Sequence, residues 1–274
     1  MEFKAINPKT EKSQGVGVDF SVENFGNFIV VHSSEGRALR LNGGLEIKRI
    51  NNEQCSFLVS LDKEGLHAAY IPGVDIFRIG KGVLSDFEKD PLIADRVFAH
   101  EAAHRRFFQS SKMEQATLAD GMYLDNPEAF QRLTHSFYNS RLGKSYAGVH
   151  GHDFNVGDFL TKGKKSGLRD DRVFQLTESD DMRLGLFVTE MLSYMSPLFL
   201  PNGQLEFEKE AAGYKDPVSG GSFFENLYRM YTVLMDMPDR QKIQYTSLFR
   251  DASPQSLSVF RQFIADVQKK QKRQ

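Results

Sequence analysis

The chain has 274 residues, 40% hydrophobic and 26% charged, a balance found in globular proteins and not in disordered or fibrous ones. A formal net charge of −1 supplies no bulk field to gather nucleic acid or an anionic membrane, so neither is expected as a partner. Cys55 is the single cysteine, which excludes an intrachain disulfide and points to a reducing compartment.

The opening segment, Met1 to Pro8, lacks the apolar run of a secretory signal peptide, so a cytoplasmic-type protein is expected. The first 80 or so residues then read as strand-rich. Short apolar or alternating runs at Asn27–His32, Leu45–Ile50, Ser56–Leu61, His67–Ile71 and Val74–Ile79 are separated by turn residues, clearest at Asn42-Gly43-Gly44 and Pro72-Gly73. The second turn predicts a hairpin over His67–Ile79. After Gly82 the period becomes helical. Asp90 and Pro91 supply an N-cap and a first-turn proline for a helix carrying Leu92, Ile93, Val97, Phe98, Phe107 and Phe108.

A further helix is predicted from Asp125-Asn126-Pro127 to about Ser140, then a long loop over Gly143–Lys165, rich in Gly, Lys and His. Another helix should begin near Ser179 and end before Pro197. The stretch Leu184–Leu200 is broken by Glu190 and Pro197 and falls short of the ~20 residues of a membrane span, so a buried helix is expected. Ser222-Phe223-Phe224-Glu225 fits a capping box opening a helix to about Met235. The last two helices should start near Pro238 and at Ser253-Pro254, and the basic end, Lys269-Lys270-Gln271-Lys272-Arg273, reads as a solvated helix terminus.

Within the helix after Asp90 lies His100-Glu101-Ala102-Ala103-His104. Two histidines four apart lie about 40° apart around a helix axis, so both rings can reach one ion from one face. Zinc favours imidazole nitrogen and acidifies a water it holds, and a carboxylate at Glu101 is placed to take that proton.

These residues resemble the His-Glu-x-x-His mark of the zincin metallopeptidases. The resemblance implies an α+β fold of zincin type, with a strand-rich part (1–82), metal-site helices (83–142) and a loop-and-helix part (143–274) in one catalytic domain. It implies zinc as cofactor, His100 and His104 as ligands, and Glu101 as general base in peptide-bond hydrolysis. It also implies that a sheet edge strand upstream of the motif helix aligns the substrate, a role for one arm of His67–Ile79. The metzincin extension of the motif is absent, because Phe107 and Ser110 stand where its glycine and third histidine would be.

In the glutamate-zincin branch the third ligand is a Glu on a later helix. Glu128 is the first choice, 24 positions after His104, with Glu190 and Asp120 as alternatives. His150, His152 and Tyr138 are candidates to stabilise the oxyanion. Asn126-Pro127-Glu128-Ala129-Phe130, with Phe137-Tyr138-Asn139-Ser140, is similar to a segment of some bacterial toxin and effector metallopeptidases. That likeness implies an effector delivered without a signal peptide and acting on a host cytosolic protein; a housekeeping intracellular peptidase is the competing expectation. Cys55, upstream of the motif, also resembles the ligand order of peptide deformylases. A non-catalytic helical interaction module with a structural metal is the alternative from a different class.

Overall fold

The computed structural model describes residues 20–24, 28–33, 36, 38–60, 68–72, 74–150, 178–213 and 220–273. The chain is a mixed α+β protein, with strands in its N-terminal part and helices in its C-terminal part. It divides into two compact units, Met1–Ser111 with Arg250–Gln274, and Lys112–Phe249.

In the first unit, β1 (Phe20–Asn24), β2 (Phe28–Ser33) and β3 (Ala38–Asn42) form an antiparallel meander. The sequence pattern reveals β2 but neither β1 nor β3, which are short and held by pairing more than by their own composition. Gly43 turns the chain into the second sheet at φ 134°, and a Cβ there would run into the backbone carbonyl of Val59. That sheet contains β4 (Gly44–Ile50), β5 (Glu53–Ser60), β6 (Ala68–Ile71) and β7 (Ile76–Gly80) in the order β4-β5-β7-β6. Asn51 and Asn52, at φ 49° and 66°, make the two-residue turn between β4 and β5 that a tight hairpin requires. The expected hairpin around Pro72 is present as β6 against β7, and it leaves β6 on the sheet edge.

The helical stretch after Gly80 is two helices, α1 (Lys81–Lys89) and α2 (Ile93–Gln109), and not one starting at Asp90-Pro91. Pro91 cannot donate a backbone hydrogen bond, and the Asp90 side chain instead accepts from the Leu92 N–H at 3.0 Å, holding the turn that precedes α2. Leu58, Ile76, Ile29, Val31 and Leu41 form one apolar cluster across the strands. Phe57 and Phe77 stack at 5.1 Å and meet Phe98 of α2 and Phe260 and Phe263 of the C-terminal helix in a second. That last helix, Pro254–Gln271, begins where the Ser253-Pro254 signal puts it, with the Ser253 hydroxyl accepting from the Ser256 N–H.

The second unit is helical throughout its described residues: α3 (Lys112–Tyr123), α4 (Pro127–Asn139), α5 (Arg141–His150), α6 (Glu178–Met195), α7 (Gly203–Gly213), α8 (Gly220–Met235) and α9 (Asp239–Ser247). The C-terminal helix of the first unit is therefore α10. Helices α4, α6 and α9 start close to their predicted positions. Two expectations are corrected. Residues 143–150 belong to α5 and not to a loop, the remainder of Gly143–Lys165 lying outside the described residues, and α8 begins two residues before Ser222, which is therefore not its cap. Phe130, Phe137, Phe187 and Phe223 are fully buried and lock α4, α6 and α8 together, with Phe137 to Phe223 at 5.2 Å and Phe130 to Phe187 at 5.6 Å. No helix among the described residues is long and apolar enough to cross a membrane.

Phe57, with no exposed surface, touches rings from β7, α2 and α10. Phe57→Ala is expected to cost about 3–5 kcal/mol, read as a lowered midpoint in urea unfolding.

Candidate functional site

Helix α2 is buried on almost every side. Phe98, Ala99, Ala102, Ala103 and Phe107 supply the apolar contacts, yet Asp95, Arg96, Glu101, Arg105 and Arg106 are buried as well. The alanines between the motif histidines leave the helix slim enough for close packing. His100 and His104 are half-buried on one flank, and their Nε2 atoms lie 3.2 Å apart. Two nitrogens bound to one tetrahedral zinc at ~2.0–2.1 Å would be separated by roughly 3.3 Å. The pair therefore already has the spacing a shared cation asks for, and the donor set suits zinc.

Glu101, next to His100, turns toward the sheet. Its Oε2 accepts from the backbone N–H of Tyr70 on the edge strand β6 at 2.6 Å. The Tyr70 hydroxyl donates to Asp75 at 3.0 Å, and its ring lies 5.4 Å from Phe77. The hairpin that the sequence pattern anticipates thus lies directly against the motif helix.

Beneath the motif, the buried charges are paired. Arg105 donates to Asp75 at 2.8 and 3.1 Å and to Glu53 at 2.9 Å. Arg106 forks onto both oxygens of Asp251 at 2.7 Å and reaches Glu53 at 2.8 Å. Asp251 is 1% exposed. The Asn51 amide donates to the same carboxylate at 2.9 Å, tying the β4–β5 turn to the segment before α10. Burial alone would raise the Glu53 carboxyl, but hydrogen bonds from Arg106 and Arg105 outweigh it and hold it below the usual carboxylate range. Cys55 is buried on β5, and that burial pushes its thiol up to about 12, a setting that does not favour a thiolate metal ligand.

The remaining candidates lie in the second unit. Glu128 is 86% exposed in the first turn of α4 and pairs with Arg132 one turn on at 3.7 Å. Asp120, near the end of α3, has its carboxyl raised by burial and by the charge of Asp125. Glu190 is half-buried on α6 between fully buried neighbours, Phe187 and Val188 on one side and Met191 and Leu192 on the other. Tyr138 stacks on Phe187 at 5.9 Å, and burial pushes its phenol up to about 12. His150 is the last residue of α5; its side chain, like the whole of His152, lies outside the described residues.

Tyr146 has no counterpart among the sequence-derived candidates. Burial, the charge of Glu190 and Tyr138 all raise its phenol. It was hidden because the glycine- and lysine-rich composition after Arg141 disguises the helix that carries it. The second unit thus brings Glu190, Tyr146 and Tyr138 into one electrostatic neighbourhood, in which both phenols stay protonated at neutral pH.

No protein-family model, no curated protein and no solved structure matches this chain.

Because the folded-state pKa of Glu53 is lowered, its contribution to stability is present above its ordinary value of 4.5 and is lost as pH falls through the folded value. Wild type should exceed Glu53→Gln in urea midpoint at pH 7, with the gap closing as pH drops below about 4.5. Asp251→Ala strands Arg106 without its buried partner and is expected to cost about 3–5 kcal/mol at neutral pH in the same measurement.

Proposed function

We propose that the chain is a zinc-dependent endopeptidase of zincin type. The observation that carries the reading is the 3.2 Å separation of the His100 and His104 Nε2 atoms on a helix whose intervening residue Glu101 is a carboxylate. A purely structural metal pair has no need of a buried carboxylate beside it, which favours an enzyme over an interaction module.

His100 and His104 would hold the metal through two ring nitrogens, with a glutamate of a later helix as the third ligand. Glu190 is preferred to Glu128 on its setting. Glu190 is half-buried among fully buried apolar residues, where a cation would offset the cost of its charge, whereas Glu128 is 86% exposed. Bound zinc would polarise the scissile carbonyl and acidify a water. Glu101 would take the proton from that water and pass it to the leaving amine. Tyr146 and Tyr138, kept as neutral phenols, are the donors suited to the oxyanion. Strand β6, on the sheet edge, offers its open side to an extended peptide backbone, the form of substrate such an edge selects. The short likeness over residues 126–130 and 137–140 carries the narrower proposal that the substrate is a host cytosolic protein.

Zinc content of the purified protein tests the reading. About one zinc per chain is expected for wild type and for Glu128→Ala, with loss in His100→Ala and depletion in Glu190→Ala. Depletion in Glu128→Ala instead would make Glu128 the third ligand. Glu101→Gln should keep its zinc while proteolysis of a panel of unfolded proteins falls by roughly 10²–10⁴-fold. Wild type that takes up no zinc even when supplied with it sinks the peptidase reading and leaves the two histidines as an imidazole–imidazole hydrogen bond.

A further inference from the structure

We infer that Asp75 and Tyr70 are positioning residues that fix the general base Glu101 against the edge strand; the inference rests on the peptidase reading for what Glu101 does. The contacts form a closed loop. Tyr70 donates its backbone N–H to Glu101 at 2.6 Å and its hydroxyl to Asp75 at 3.0 Å. Asp75 accepts two hydrogen bonds from Arg105, which stands four residues after Glu101 and therefore on the same flank of α2. The edge strand is consequently held to the motif helix at two points one helical turn apart, and one of the two is the base itself.

The chemistry of each member is specific to this task. Asp75 sits at φ 51°, in the left-handed region that aspartate enters more readily than most residues, and both of its carboxylate oxygens accept from Arg105 there. Arg105 is 3% exposed and Asp75 39% exposed, so a buried guanidinium meets a carboxylate at the surface in a bidentate pair that defines direction as well as attraction. Tyr70 lies opposite Phe77, with Ala69 opposite Arg78 beside it. Along an antiparallel strand backbone groups alternate in direction, so a Tyr70 N–H spent on Glu101 is turned away from β7. The same side carries the Tyr70 carbonyl and the N–H and carbonyl of Ala68. The loop therefore sets the orientation of the Glu101 carboxylate and the register of the open backbone groups together. A shift of β6 by one residue would lose both.

The test reads the amide at position 70 in the full-length, zinc-loaded protein by ¹⁵N-resolved NMR and hydrogen exchange. Wild type should show a strongly downfield, slowly exchanging amide. Tyr70→Phe, which removes only the hydroxyl, and Asp75→Asn, which removes only the charge, should each speed its exchange about tenfold, with zinc content and the exchange of β7 and α2 amides unchanged. Glu101→Gln should weaken the same signal without touching Asp75. Unchanged exchange at position 70 in both variants overturns the inference. So does a uniform acceleration across β6, β7 and α2, because Asp75 would then brace the fold and position nothing in particular. Zinc uptake is scored on the same samples. A protein that binds none overturns the peptidase reading, and with it the role of Glu101 as base, even where the tie to Tyr70 is intact.

Discussion

Two consecutive arginines on α2, Arg105 and Arg106, are 3% and 7% exposed, and the first unit is organised around neutralising them. Neither can shed its proton, so each must be met by carboxylates brought from elsewhere in the chain. Glu53 comes from the start of β5, Asp75 from the β6–β7 turn and Asp251 from the segment before α10. Sequence separations of 30 to 145 residues are closed by a handful of hydrogen bonds. Aromatic burial between the sheet, α2 and α10 supplies the bulk of the driving force, while the ion pairs, being directional, specify how the elements meet.

That specification matters because of what lies one turn earlier on the same helix. The motif histidines and Glu101 have no freedom to choose their own surroundings. Their exposure and direction follow from how α2 is rotated, and the forks on Arg105 and Arg106 define that rotation. The small Ala102 and Ala103 let the helix sit close to its neighbours, and Phe98 and Phe107 anchor it. A helix tied this firmly holds two imidazole nitrogens 3.2 Å apart, and the proposed metal would gain from donors that need no rearrangement.

The second unit is built differently. Its helices are joined by phenylalanine rings, and Glu190, Tyr146 and Tyr138 share one electrostatic neighbourhood beside them. Burial does two things there. It disfavours a charged carboxylate, which is why a cation beside the half-buried Glu190 is proposed, and it keeps the phenols protonated.

Local signals were sufficient for much of this. His100-Glu101-Ala102-Ala103-His104 announces itself because a helix converts four-residue spacing into a shared face, and the Pro72-Gly73 turn marks the hairpin against which Glu101 rests. The helices opening at Pro127 and Pro254 are likewise written in their first turns. What tertiary structure alone decided is which of several glutamates is solvated and which is half-buried, because that depends on neighbours distant in the chain: the sequence puts Glu128 ahead of Glu190, and only packing shows the first exposed and the second half-buried. The same holds for α5 and Tyr146, where composition suggested a loop, and for Asp75, whose value comes from meeting an arginine 30 residues away. Sequence period reports the face a residue shares with its near neighbours; the dielectric and the partners around it are properties of the folded chain.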